Sequence, residues 1–298
     1  MQQRNLPLHR ISQFIGFLLG ARFFVTVLLT FALYVSTFFL FNQEESLRKF
    51  VFDLKVHGII FCAVLSILAG GIINQFYDRE KDQITKPFRS RLQSFLKQKY
   101  FLYAYLALSI VSLAVALMIS HRVFIFFLIY QFFMWFYSHK LSKILIVNNL
   151  TFVSLTMYPF FGMLYYFRTF SVKVFFMAMF LFLILLLIDI LKDTLTKNAD
   201  KVFGYRTIPN FFGRKVTAFI NILLLLGLIA VSMSIITYKG LSDVMSYYFA
   251  GGLVVFSGIL YFVLEGRKNS SFVAMNLLRF WVFIGICAML LDGILTKF

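Results

Sequence analysis

The chain has 298 residues, 61% of them hydrophobic and 19% aromatic, a mean hydropathy of +0.86 and a formal net charge of +17. A soluble domain of this length has too little interior to hide so much apolar surface, so the composition excludes a soluble globular protein and points to a polytopic membrane protein. Apolar runs of about 20 residues also exclude a transmembrane barrel, whose strands are about 10 residues with strict alternation.

Residues 1–13 are polar and mildly basic. The apolar run after them is too long for a signal-peptide core and has no small-residue cleavage pattern, so the first helix is expected to be retained. Nine transmembrane helices are predicted near residues 14–41, 56–77, 101–119, 122–138, 145–167, 172–192, 216–237, 244–264 and 272–294. Arg22 falls inside the first of them, which leaves room for a shorter span. No Pro-rich or Ser-rich linker interrupts the array, so residues 1–298 are expected to form a single domain, an all-α integral membrane protein. Cys62 and Cys287 both lie in apolar runs and read as small packing residues. The four histidines, His9, His57, His121 and His139, have no metal-ligand spacing.

Positive charge orients the array. Of the 29 Lys and Arg residues, nineteen fall on the side of the N-terminus and eight on the other, with Arg22 and Arg279 inside spans. The N-terminus is therefore expected in the cytoplasm and the C-terminus on the opposite face. The excess charge belongs to loops facing an anionic leaflet, so membrane lipids, not nucleic acid, are the expected partner.

Against this background the acids stand out. Six of the twelve lie in two short segments: Asn74-Gln-Phe-Tyr-Asp78-Arg-Glu80-Lys-Asp82, and Asp189-Ile-Leu-Lys192-Asp193-Thr-Leu-Thr196-Lys-Asn-Ala-Asp200. Both fall at cytoplasmic ends of predicted spans, the second and the sixth. At about 100° per residue, Asn74, Asp78 and Asp82 share an arc of about 80° on one helix face. If the sixth helix runs on, Asp189, Asp193, Thr196 and Asp200 fall at about 0°, 40°, 340° and 20°. Oxygen ligands arranged in this way suit Mg²⁺, which keeps several waters and is usually shared with substrate phosphate. Two such faces suit two ions. Ionisable groups this deep are costly and by default mark function, although a solvated helix end with internal ion pairs is the plainer reading of either cluster taken alone.

The first segment, continued as Gln83-Ile-Thr85-Lys86-Pro87-Phe-Arg89, resembles the first aspartate-rich motif of the UbiA superfamily of intramembrane prenyltransferases. The second, from Lys192-Asp193 through Asp200-Lys-Val-Phe-Gly204-Tyr-Arg206-Thr207-Ile208-Pro209, is similar to the family's second motif. Tyr137-Ser-His-Lys140 resembles a further family feature at the end of the fourth span. The chain departs from the pattern at Thr196, where an Asp is usual, and at Ala199, Thr85 and Ser90, where Gly, Asn and Pro are usual.

The resemblance implies nine transmembrane helices in a single bundle, with a central cavity opening near the cytoplasmic caps, in the cell (inner) membrane. It also implies Mg²⁺-dependent transfer of an isoprenyl group from a prenyl diphosphate to a small aromatic, quinone-precursor or lipid-precursor acceptor, releasing diphosphate. Asp78, Asp82, Asp193 and Asp200 are then the expected catalytic residues; Asn74, Asp78, Asp82, Asp189, Asp193 and Asp200 the expected metal ligands, for two Mg²⁺ ions; and Lys86, Arg89, Lys192, Tyr137, Lys140 and Arg22 the expected substrate contacts, with interfacial anchoring of Tyr137 and Lys140 and snorkelling of Arg22 open as alternatives. A hydroxyl binds Mg²⁺ more weakly than a carboxylate, so Thr196 shifts the second ligand set onto Asp200 with Asp193 or Asp189. Two rivals stay open at this point: a secondary transporter, and a non-catalytic relative that binds prenyl diphosphate.

Overall fold

The computed structural model describes residues 6–42, 46–94, 97–238, 242–265 and 269–297, and within them every regular element is a helix. Of the charges counted for orientation, Arg4, Lys239, Arg267 and Lys268 lie outside the described residues. The chain divides into two compact units, Met1–Tyr34 with Ser46–Ser142, and Val35–Glu45 with Lys143–Phe298.

The first unit carries α1 (Leu6–Gly20), α2 (Phe23–Val35, whose last residue enters the second unit), α3 (Leu47–Val51), α4 (Leu54–Thr85), α5 (Pro87–Gln93), α6 (Gln98–Ile119) and α7 (His121–His139). The expected first span, 14–41, is divided. α1 stops at Gly20, Arg22 takes a left-handed φ of 53°, and the helix restarts at Phe23. Hydropathy runs smoothly through this point because a single Arg barely lowers it; the break comes from the backbone, in a conformation that a non-glycine residue rarely adopts. Gly71 on α4 lets the break pack closely, since a Cβ there would sit 2.8 Å from the Ala21 carbonyl oxygen.

α4 begins at Asp53, whose carboxylate accepts from the backbone N–H groups of Lys55 at 2.9 Å and Val56 at 3.2 Å, the usual side-chain cap for otherwise unpaired amides. It packs against α6 and α7 through small and polar side chains. Ser66 Oγ and Ser112 Oγ are 3.0 Å apart, Ser112 Oγ donates to the Cys62 carbonyl at 3.0 Å, and Gln131 Nε2 donates to Ser66 Oγ at 3.1 Å. In a bilayer, where lipid tails are as apolar as leucine, such close packing and interhelical hydrogen bonds replace the hydrophobic effect as the glue between helices.

The second unit contains a π-helix (Ser36–Phe41), α8 (Val147–Phe167), α9 (Val172–Val202), α10 (Ile208–Phe211), α11 (Gly213–Ile236), α12 (Asp243–Glu265) and α13 (Ser270–Lys297). Its core joins four of these: Ile184, Leu187 and Leu191 of α9, Leu225 and Leu228 of α11, Phe249, Phe256 and Ile259 of α12, and Ala274 and Leu278 of α13. Tyr248 stacks on Trp281 with ring centroids 5.0 Å apart, tying α12 to α13.

Among the described residues, eight helices are long and apolar enough to cross a membrane. The expected span 122–138 is helical, as α7, but is not one of them: Tyr130, Gln131, Trp135, Tyr137 and His139 dilute its apolar character.

Candidate active site

α4 continues to Thr85, past the expected span end at residue 77, so Asn74, Asp78 and Asp82 stand on one unbroken helix face. Asn74 Nδ2 donates to Asp78 Oδ2 at 2.9 Å. Asp82 is buried and receives Lys86 Nζ on Oδ1 at 2.8 Å, while its carbonyl accepts the Lys86 N–H at 2.9 Å. The helix ends there because Pro87 follows; its fixed φ disfavours helix at the residue before it and suits the first position of α5. The turn swings Arg89 back, and one of its terminal amino groups donates to the Gly20 carbonyl at 3.5 Å.

Arg22, Lys86 and Arg89 thereby gather around the acidic end of α4. Burial pulls the Lys86 ammonium below its usual pKa; Asp82 works against this, and Arg22 and Arg89 add to it. Burial likewise lowers Arg89, with Arg22 adding to the shift and Asp82 and Asp78 opposing it. Of the remaining expected substrate contacts in this unit, Tyr137 is half-buried on α7, and Lys140 is the exposed cap that ends the helix. The His139 ring of α7 lies against Tyr77 of α4, with centroids 5.4 Å apart.

In the second unit the condition for a shared face is also met. α9 runs to Val202, carrying Asp189, Asp193 and Asp200, all three of them buried. A buried carboxylate is tolerated only with partners, and each has them. Lys192 Nζ pairs with Asp189 Oδ1, lies 3.7 Å from Asp193 Oδ1, and sits 4.9 Å from the centre of the Phe152 ring. Thr196 Oγ1 donates to Asp200 Oδ2 at 2.7 Å. After α9 the chain turns through Gly204 at φ 73°, a left-handed position suited to glycine, which brings the Tyr205 N–H to the Asp200 carbonyl at 2.8 Å.

Two residues here lie outside the expected set. Asn149, in the first turn of α8, donates from Nδ2 to Asp189 Oδ2 and to Asp193 Oδ2, each at 2.8 Å. Arg279 of α13 lies within electrostatic reach of Asp189. The available signal for the first was a pair of amides, Asn148 and Asn149, inside a predicted apolar span; for the second, a lone Arg inside another.

Among the described residues, no three His, Cys, Asp or Glu side chains are arranged to hold a metal ion unaided. The donor chemistry nevertheless fits Mg²⁺, a hard cation that commonly takes one or two carboxylates and completes its shell with water and substrate phosphate. The buried Asn149 Oδ1, without a hydrogen-bond partner, adds an oxygen that a cation would satisfy.

The family model for the UbiA prenyltransferase family matches residues 46–284. The chain belongs to the UbiA prenyltransferase family. It is an integral membrane prenyltransferase, which sets aside the transporter reading. The digeranylgeranylglyceryl phosphate synthase of Thermococcus gammatolerans is 25% identical to this UbiA-family chain over 244 residues, 81% of this chain and 87% of the relative. A solved structure of a digeranylgeranylglyceryl phosphate synthase matches with a TM-score of 0.68 at 19% identity, over 95% of this chain and 99% of the other. A UbiA homologue from Archaeoglobus fulgidus, bound to DMAPP and Mg²⁺, matches with a TM-score of 0.67 at 15% identity, over 92% of this chain and 99% of that one. At these identities the structural likeness concerns the fold.

Proposed function

We propose that this UbiA-family enzyme transfers an isoprenyl group from a prenyl diphosphate to a lipid-precursor acceptor of the glyceryl phosphate type, in a Mg²⁺-dependent reaction served by residues 1–298 as one catalytic domain. The observation that carries the reading is the gathering of Arg22, Lys86 and Arg89 around Asp78 and Asp82. Cations placed beside metal-binding carboxylates suit a polyanion that brings its own metal. The acceptor class is supported by the name of the Thermococcus relative, and Mg²⁺ by the ion and prenyl diphosphate bound in the Archaeoglobus homologue.

Asn74, Asp78 and Asp82 would hold one ion, and Asp189, Asp193 and Asp200 a second. When bound, Mg²⁺ supplies positive charge that stabilises the departing diphosphate. In the first unit, Lys86 and Arg89 are placed to donate hydrogen bonds to diphosphate oxygens, with Arg22, Tyr137 and Lys140 as further contacts for an anionic substrate; in the second unit Lys192 would serve as such a donor. The bond from prenyl C1 to the diphosphate oxygen breaks with its electron pair leaving on diphosphate. The acceptor hydroxyl oxygen then bonds to C1 of the allylic cation and gives up its proton to the departed diphosphate. The protein's many aromatic rings offer π faces to such a cation. The charge asymmetry supports a cytoplasmic N-terminus and a C-terminus on the opposite face; the cell (inner) membrane is the proposed location.

Membranes containing the protein, given radiolabelled geranylgeranyl diphosphate, Mg²⁺ and either geranylgeranylglyceryl phosphate or homogentisate, should yield a labelled lipid from the first acceptor. The product should vanish with EDTA and in Asp78→Ala. Labelling of homogentisate alone would overturn the acceptor class, and product unchanged by Asp78→Ala would overturn the site.

A further inference from the structure

Asn149 is 1% exposed, and its amide meets two carboxylates of the neighbouring helix. Both acceptors are carboxylate oxygens, so the amide orientation is forced: a reversed side chain would press its carbonyl oxygen against two anions. Each N–H therefore serves a different helical turn of α9, tying Oδ2 of Asp189 and Oδ2 of Asp193 to one nitrogen. Lys192 sits on the Oδ1 atoms of the same two residues. Asn148 supports the clamp from two directions: its Oδ1 accepts the Asn149 backbone N–H at 2.7 Å, and its Nδ2 lies 3.5 Å from Asp193 Oδ2.

Two carboxylates one turn apart repel each other and, left alone, would splay or take up a proton. A neutral double donor holds both without neutralising either. That is what a cation site needs before the cation arrives: the neutral donor fixes direction without adding to the charge that Lys192 already offsets on the Oδ1 side.

We propose that Asn149 is the positioning residue of the α9 metal site, acting through its two N–H groups to hold the Asp189 and Asp193 carboxylates in register for a divalent cation. The role of that cation in catalysis rests on the prenyltransfer reading; its binding does not.

The test is Mn²⁺ binding to the detergent-purified protein, read by electron paramagnetic resonance, with Asp193→Ala defining the component that belongs to α9. Asn149→Leu, close in shape but without a donor, should weaken that component by at least about tenfold, the usual scale for residues that orient metal ligands. Asn149→Asp restores an oxygen but no donor and should weaken it too. The Mg²⁺ concentration for half-maximal prenyl transfer should rise in parallel. If Asn149→Leu does not accumulate as folded protein, Asn149→Ser, whose donor is too short to reach both acids, reads the same quantity. Wild-type affinity in either Asn149→Leu or Asn149→Asp overturns the proposal, as does the lack of any component sensitive to Asp193→Ala. Mn²⁺ binding that follows this pattern without labelled product from any acceptor supports the proposal and sinks the prenyltransfer reading instead.

Discussion

Thr196 donates its hydroxyl to Asp200 at 2.7 Å, from the position where the family usually places a carboxylate. The hydroxyl does something that carboxylate does not do when ionised: it satisfies one oxygen of a buried acid with a neutral donor. Thr196→Val removes the donor at nearly constant volume and should lower stability by about 1–3 kcal/mol, the cost of depriving a buried acceptor of a bond. Thermal unfolding in EDTA measures it.

Thr196→Asp should act in the opposite sense on metal. A second carboxylate one turn from Asp200 supplies a stronger ligand, so the Mg²⁺ concentration for half-maximal activity should fall several-fold. The same substitution puts two like charges side by side and should lower the melting temperature without metal. A variant with unchanged Mg²⁺ dependence would show that residue 196 does not take part in metal binding.

The ion pair of Lys86 with Asp82 spans 2.8 Å between a helix end and the residue before Pro87. Lys86→Met keeps the length of the side chain but not its charge. The KM for prenyl diphosphate should rise by roughly tenfold or more, because a charge-assisted bond to phosphate is among the stronger single contacts. A steady-state titration of diphosphate substrate checks it, and an effect on kcat alone would contradict a binding role.

Arg22 combines a strained backbone with a place in the cationic cluster. The two can be separated. Arg22→Gly suits φ 53° and should be more stable than Arg22→Ala by about 1 kcal/mol, visible as a higher melting temperature. Both variants lack the guanidinium and should lose substrate affinity equally.

Much of the architecture was legible because it is written in local pattern. The spacing of Asn74, Asp78 and Asp82 places them on one face only if the helix continues beyond the apolar run, and α4 does continue, to Thr85. The same holds for Asp189 to Asp200 on α9. What escaped is not local. The interruption at Arg22 is a backbone torsion, which hydropathy cannot register. The clamp at Asn149 joins residues 40 and 44 positions apart in the chain, and nothing in the period of either helix announces such a partner. α7 falls between these cases: its length was clear, but its Tyr, Trp and Gln content lowers its hydropathy below that of the other spans.

The hydrogen bonds linking Cys62, Ser66, Ser112 and Gln131 work as a mechanical stop. Sliding α4 past α6 by one turn, about 5.4 Å, would break them together inside a medium with no water to replace them. Ser66 lies a little over three helical turns, about 18 Å, before Asp78. The height of the acidic face of α4 is therefore set by contacts made with α6 and α7 about 18 Å back along the helix, not by the loops beside it.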